Sequence, residues 1–156
     1  MITGSELISA KEIGCYVVSY IKKILVPMDG SKKSFKALER AINLASLTDS
    51  KITVLNVIPH IGEAGPRTKA FDQQTILQGK AVVHEAAKIA KKKGVKADTK
   101  ILRGWPGIET VKYAKSGNFD HIVLSTTGTG TTKGDMLGSV SNYVVHKSPV
   151  PVYLIR

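Results

Sequence analysis

Two stretches of this chain carry the residue types that hold anions. The first is ILVPMDGS, Ile24 to Ser31, where an apolar run ends on Pro27, Met28, Asp29 and Gly30. The second is STTGTGTTKGDMLGSV, Ser125 to Val140, which follows directly on the apolar run His121 to Leu124 and is dominated by Thr, Gly and Ser. Gly128, Gly130 and Gly134 let the backbone approach a ligand closely and permit left-handed turns. Gly138 and Ser139 stand where a helix should begin, so free amide groups and the positive end of the helix dipole face the loop. Thr and Ser hydroxyls add neutral donors, and Lys133 adds a charge. The group best matched to this set is phosphate. The same composition also describes a flexible linker, and the position between a strand and a helix favours the phosphate cradle. Two common phosphate fingerprints are absent: no Gly-Lys-Ser/Thr occurs, and a G-x-G-x-x-G pattern would need glycine where Lys133 stands.

The elements around these loops must position them. Lys22 to Asp29 is continuous and branched, a buried strand broken by Pro27 and Gly30. Ser31 can cap a following helix in which Phe35, Leu38, Ile42 and Ala45 share one face. Lys51 to Ile58 reads as a second strand, and residues 60–71, with Gly62, Gly65 and Pro66, read as a loop. A long helix is expected from Asp72 to Lys93, with Ile76, Val83, Ala87 and Ala90 inward, Gly79 as a weak point and Gly94 as its end. Val95 to Arg103 is a third strand, polar enough for a sheet edge. Pro106 opens a helix over about Gly107 to Lys115, which Gly117 terminates. A strand over Asp120 to Thr126, a helix over Gly138 to His146 and a strand over Pro151 to Ile155 complete the chain.

Strict alternation of strand and helix predicts an α/β fold: a five-stranded parallel, doubly wound sheet with helices on both faces. Right-handed crossovers leave the order 3-2-1-4-5 as the expected one. In that order the ligand crevice falls between the first and fourth strands, where the two loops meet. One domain over residues 21–156 is expected, preceded by an extension over residues 1–20 to which no role is assigned.

The pair ILVPMDGS and G-x9-G-S, the latter Gly128 to Ser139, resembles the universal stress protein family, whose nucleotide-binding members carry G-x2-G-x9-G-[ST]. VLNVI on the second strand and SPVPVYLI at the end add to the likeness, which spans about residues 22–156. The resemblance implies a Rossmann-like fold of the adenine nucleotide alpha hydrolase type. It implies an adenine nucleotide as ligand, ATP or AMP, with or without magnesium. Pro27 and Met28 would line the base pocket, Asp29 would bond the adenine or ribose side, and the Val57 backbone would read the adenine edge. Ser125, Thr127 and Gly128 would pass along the ribose and first phosphate, and Leu124 would also belong to the nucleotide site. Gly138, Ser139, Val140 and Ser141 would hold the phosphates through amides and hydroxyls. For Asp29 the residues alone also allow a plain turn-forming role. One position departs from the pattern: Ser125 replaces the first glycine of the motif. If that glycine needs a positive φ, serine costs on the order of 1 kcal/mol; if it does not, the hydroxyl adds a contact. Family members that have lost the motif do not bind ATP.

The resemblance also implies a homodimer paired through the last strand, with Val150, Pro151, Val152, Tyr153, Leu154 and Ile155 at the interface. A regulatory protein of the stress response is the expected function, with an unidentified protein partner. The alternative is a dimeric interaction module that binds no nucleotide. No catalytic residues are expected: Asp135 is the one carboxylate within the glycine-threonine loop, and at most slow ATP hydrolysis is anticipated. His60, His84, His121 and His146 have no metal-ligand spacing and read as surface or helix-end residues, so no metal site is expected. The net charge of +11 is spread along the chain, with one tight run at Lys91 to Lys93, and nucleic acid is disfavoured as a partner. No run approaches the roughly 18 apolar residues of a membrane helix. A single cysteine, Cys15, excludes an intrachain disulfide and fits a reducing, cytoplasmic setting.

Overall fold

The computed structural model of the chain describes residues 21–59, 69–129 and 136–156. The extension over residues 1–20, and Gly130, Lys133, Gly134 and Asp135 of the expected phosphate loop, lie outside the described residues. The described chain runs β1 (Lys23–Pro27), α1 (Lys32–Thr48), β2 (Lys51–Pro59), α2 (Lys69–Lys92), β3 (Ala97–Gly104), α3 (Pro106–Ser116), β4 (His121–Ser125), α4 (Ser139–Lys147) and β5 (Val152–Ile155). The strands form one parallel sheet in the expected order β3-β2-β1-β4-β5.

Side chains alternate across this sheet, so each strand feeds two cores. Ile24, Val26 and Met28 of the β1 segment join Ile52 and Val54 of β2 on the face covered by α1 and α2. Leu25, Leu55, Ile122 and Leu124 face the other way, onto Ala114 of α3 and Val144 of α4. Ile24, Leu25 and Val26 are each 0% exposed, which is why β1 reads as an unbroken apolar run instead of an alternating one. At the edge, β3 leaves Asp98, Thr99 and Lys100 exposed, as its polar sequence predicts. At the amino ends, Asp120 Oδ2 accepts the N–H groups of Lys22 at 2.7 Å and Lys23 at 2.8 Å, which ties β1 to β4.

Several local expectations are corrected. The helix α2 begins at Lys69, inside the segment expected to be loop. Its buried stripe is Gly79, Val83, Ala86 and Ala90, at helical spacings of four, three and four; Ala87, expected inward, lies to one side and is half-buried. Gly117 caps α3 with φ −86, so it is not the left-handed residue that ends the helix. Asn118, at φ 50, makes that turn. Glycine is needed at 117 because a Cβ would stand 2.4 Å from Phe119 Cε2. His121 is half-buried under Tyr153, with ring centroids 5.2 Å apart, and its buried Nδ1 has no partner among the described residues. Burial holds this imidazole below its ordinary value of 6.5, against the pull of Asp120. His84 and His146 are exposed, as expected, and His60 is outside the described residues.

The Gly117 contact gives a prediction opposite in sign to helix propensity. Gly117→Ala should destabilise the protein by about 2 kcal/mol, the cost of overpacking, read as a lower urea midpoint at unchanged slope. A stabilised variant would mean that Phe119 repacks freely.

Candidate functional site

The reversal of strand order between β1 and β4 opens the sheet at its carboxyl end, and a cavity of about 570 Å³ lies there. Pro27, Met28 and Asp29 line it from the end of β1, Val57 from β2, and Leu124 and Ser125 from β4. Gly128, Gly138, Ser139, Val140 and Ser141 complete the side formed by the glycine-threonine loop and α4. The fold therefore brings to one cavity all but one of the described residues expected at the site.

The exception is Thr127. It is buried, it does not line the cavity, and its side chain turns to α1, where Lys33 Nζ donates to Thr127 Oγ1 at 2.5 Å. Its neighbour Thr129 lines the cavity in its place. A strand-end residue and the residue two beyond it need not share a face once the strand has stopped, and β4 stops at Ser125.

Asp29 couples the two loops. Its Oδ1 accepts the Ser31 N–H at 3.0 Å and its Oδ2 accepts the Thr129 N–H at 2.7 Å. A Cβ on Gly128 would lie 2.3 Å from Asp29 Oδ2, so this glycine serves close approach. Gly128 has no positive φ, so of the two expectations for it, close approach and a left-handed turn, the second is corrected. Burial would raise the Asp29 carboxyl, but hydrogen bonds from Ser31, Thr129 and Ser34 hold it below its ordinary value of 3.8.

Ser125 is also outside the left-handed region, so the missing motif glycine brings no backbone strain here. Its hydroxyl donates to the Thr127 carbonyl at 2.9 Å and braces the loop. The Ser141 hydroxyl lies 3.0 Å from the Ser125 carbonyl and 2.8 Å from the Thr126 carbonyl, while the Gly138 N–H donates to the Thr126 carbonyl at 2.8 Å. These bonds pin the start of α4 to the end of β4. They also commit the Ser141 hydroxyl to backbone carbonyls, leaving its N–H for a ligand. Gly138 caps α4 with φ −64 and ψ 159 and provides no side-chain bond to the helix. The first N–H groups of a helix have no acceptor within it. Those of Ser139, Val140 and Ser141 meet no acceptor among the described residues.

Val57 presents a different edge. The last pair between β1 and β2 is Pro27 with Leu55, after which Met28 N–H donates to the Leu55 carbonyl at 2.8 Å. By the two-residue period of a strand, the Val57 N–H and C=O face the same way as those of Leu55, toward the side that β1 has already left. A donor and an acceptor thus border the cavity side by side.

Sequence reasoning missed part of the wall. Asn56, Gln78, Gly79, Pro106 and Thr110 also line the cavity. The one signal was Asn56, a lone amide within an apolar strand; Gly79 read as a weakness of its helix. The Thr110 hydroxyl is buried with no partner among the described residues. No group of three or more His, Cys, Asp or Glu able to hold a metal occurs among the described residues.

The Asp29 latch is testable by pH. A depressed pKa in the folded state contributes stability that is whole above the unfolded value and is lost as the pH falls through the folded one. Asp29→Asn should therefore cost about 1 kcal/mol at neutral pH, a modest figure because the carboxylate is open to solvent. The gap from wild type should close as the pH falls below 3.8. Denaturation curves of both proteins across that range check it; a gap independent of pH would exclude the charged latch.

Comparison with known proteins agrees with this fold. The profile of the universal stress protein family matches residues 21–156. A universal stress protein of Methanocaldococcus jannaschii is 33% identical over 139 residues, 86% of this chain and 82% of that one. The solved structure of the universal stress protein UspA from Lactobacillus plantarum superposes with a TM-score of 0.67 at 28% identity, over 86% of this chain and 97% of that one. The universal stress protein of Archaeoglobus fulgidus solved with dAMP shares the fold, with a TM-score of 0.69 at 24% identity over 88% of this chain and 98% of that one. With a profile match over nearly its whole length and a relative a third identical, this chain belongs to the universal stress protein family.

Proposed function

We propose that the cavity binds an adenine nucleotide, ATP or AMP, and that the protein acts in the stress response as a nucleotide-dependent regulator. The observation that carries this reading is the uncapped start of α4. Three amide groups with no acceptor among the described residues, at the positive end of a helix, border a cavity large enough for a nucleotide. Ser139, Val140 and Ser141 would hold the phosphates through those amides, with Gly138 giving them room. Asp29, Ser125 and Gly128 would meet the ribose, and Pro27, Met28, Val57 and Leu124 would surround the base. Val57's free backbone edge suits the paired donor and acceptor of an adenine. The dAMP complex in Archaeoglobus fulgidus supports the idea that this fold can hold such a ligand. Magnesium, where present, would come bound to the ATP phosphates.

The backbone of Gly138 permits a test in which stability and binding move in opposite directions. Its extended φ and ψ suit a capping side chain, and a Cβ there would meet nothing nearer than Thr127 Cα at 3.4 Å. Gly138→Asp should cap α4, stabilise the fold by a few tenths to 1 kcal/mol, and raise Tm. It should weaken ATP and AMP binding at least tenfold by setting a carboxylate against the phosphates. Calorimetric titration of the nucleotide-stripped protein, with and without magnesium, reads both arms. Micromolar binding by wild type that the variant loses supports the reading; no heat up to millimolar nucleotide would sink it and leave the interaction module as the better account.

The proposal includes a homodimer through β5. This strand pairs with β4 on one side only, and Tyr153 is 45% exposed on it. The carbonyls of Pro151 and Ile155 are engaged by β4, so Val152 and Leu154 turn their N–H and C=O groups to the open edge. Sedimentation equilibrium is expected to give twice the chain mass for wild type and a single chain for Val152→Pro. A monomeric wild type would count against pairing through this edge.

A further inference from the structure

Asn56 is 8% exposed in a row of β2 whose other members, Ile52, Val54 and Ile58, are apolar and buried against the helices of one face. An amide placed there needs partners for both of its ends. Its Nδ2 donates to the Met28 carbonyl at 2.8 Å. A backbone carbonyl only accepts, so this contact fixes which end of the amide is which. The other end, Oδ1, is an acceptor that no donor meets among the described residues. It lies against α2 at Gly79, where a Cβ would stand 2.5 Å from it. Both residues line the cavity, with Met28, Val82 and Gln78 around them. Glycine in the middle of a long helix is unfavourable by propensity, and here it leaves room for a single carbonyl oxygen.

We infer that Asn56 Oδ1 is the specificity-determining contact for the base, accepting a hydrogen bond from an exocyclic amino group and rejecting purines that carry a carbonyl at that position. The inference rests on the adenine nucleotide reading of the cavity and adds to it the side chain that reads the 6-position of the base. An amino group donates to Oδ1. A 6-oxo group would set acceptor against acceptor in a poorly solvated wall, and sites built around one hydrogen bond discriminate strongly against its absence. The Val57 edge faces the same space from the neighbouring residue, so side chain and backbone would read adjacent atoms of the ring. The competing account is structural: the amide does no more than clamp the Met28 carbonyl.

Competitive binding of AMP and inosine monophosphate separates the two. These ligands share ribose and phosphate and differ in the 6-amino or 6-oxo group and in the adjacent N1, an acceptor in adenine and an N–H in hypoxanthine. Wild type should prefer AMP by roughly tenfold or more, the worth of one buried hydrogen bond. Asn56→Ala should lower the ratio severalfold, with the Val57 edge keeping the remainder. Gly79→Ala keeps Asn56 but fills the space of its carbonyl, and should lower the ratio as well. Thermal melts of each variant establish that it is folded. Equal binding of AMP and inosine monophosphate by wild type, or an AMP preference undiminished in folded Asn56→Ala, would overturn the inference and leave the nucleotide reading standing. Binding of neither ligand by wild type would overturn both.

Discussion

Everything in this molecule depends on β1 being covered on both faces. Its three central residues have no access to solvent, and the two helical layers that enclose them leave no room for polar chemistry along the strand. A sheet built this way can offer a ligand only its carboxyl edge. There, β1 ends at Pro27 and β4 at Ser125, and the chain departs to opposite faces. The cavity is the gap between those departures. Its polar groups are mostly backbone: the first amides of α4, the free edge of β2 at Val57, and the carbonyls that the Ser125 and Ser141 hydroxyls hold in place. At position 125 the serine stands in place of the motif glycine without backbone strain.

The fold was legible because burial on two faces leaves a strong mark. Runs such as Lys22 to Asp29 and Lys51 to Ile58, divided by helical periodicities, permit few arrangements, and the switch point followed from the order. The site was legible wherever a residue type has a backbone reason, as at Asp29 or at Gly138 before a helix. Thr127 was misplaced because composition cannot say which way a side chain turns after a strand ends. The reasons for glycine were misread in three places. Gly128 and Gly117 suggested unusual dihedrals and Gly79 a flaw, yet each makes room for one atom of a partner distant in sequence or packed across a turn: a carboxylate oxygen, a ring carbon, an amide oxygen. Such pairings exist only after folding.

The positive charge has a plain physical reading. Ion pairs among the described residues include Lys51 with Asp98 at 2.5 Å, exposed on both sides, and Lys112 with Glu109 at 3.4 Å, exposed at the lysine and half-buried at the carboxylate. Exposed pairs of this kind contribute little to stability. Lys91 and Lys92 sit in the last turn of α2, fully in solvent, where they complement the helix dipole. The excess keeps the surface hydrated and sets a favourable background field for anions.

The bond between Asp29 and the Thr129 amide has one more consequence. The glycine-threonine loop already holds an anion, one tethered to its own chain. Any phosphate or sugar hydroxyl that takes the Thr129 N–H must displace a carboxylate whose effective concentration at that point is set by two residues of backbone beyond β1 and not by diffusion. A tethered competitor of this kind keeps the empty loop in shape. It would also raise the concentration at which any ligand needing that amide could occupy the site.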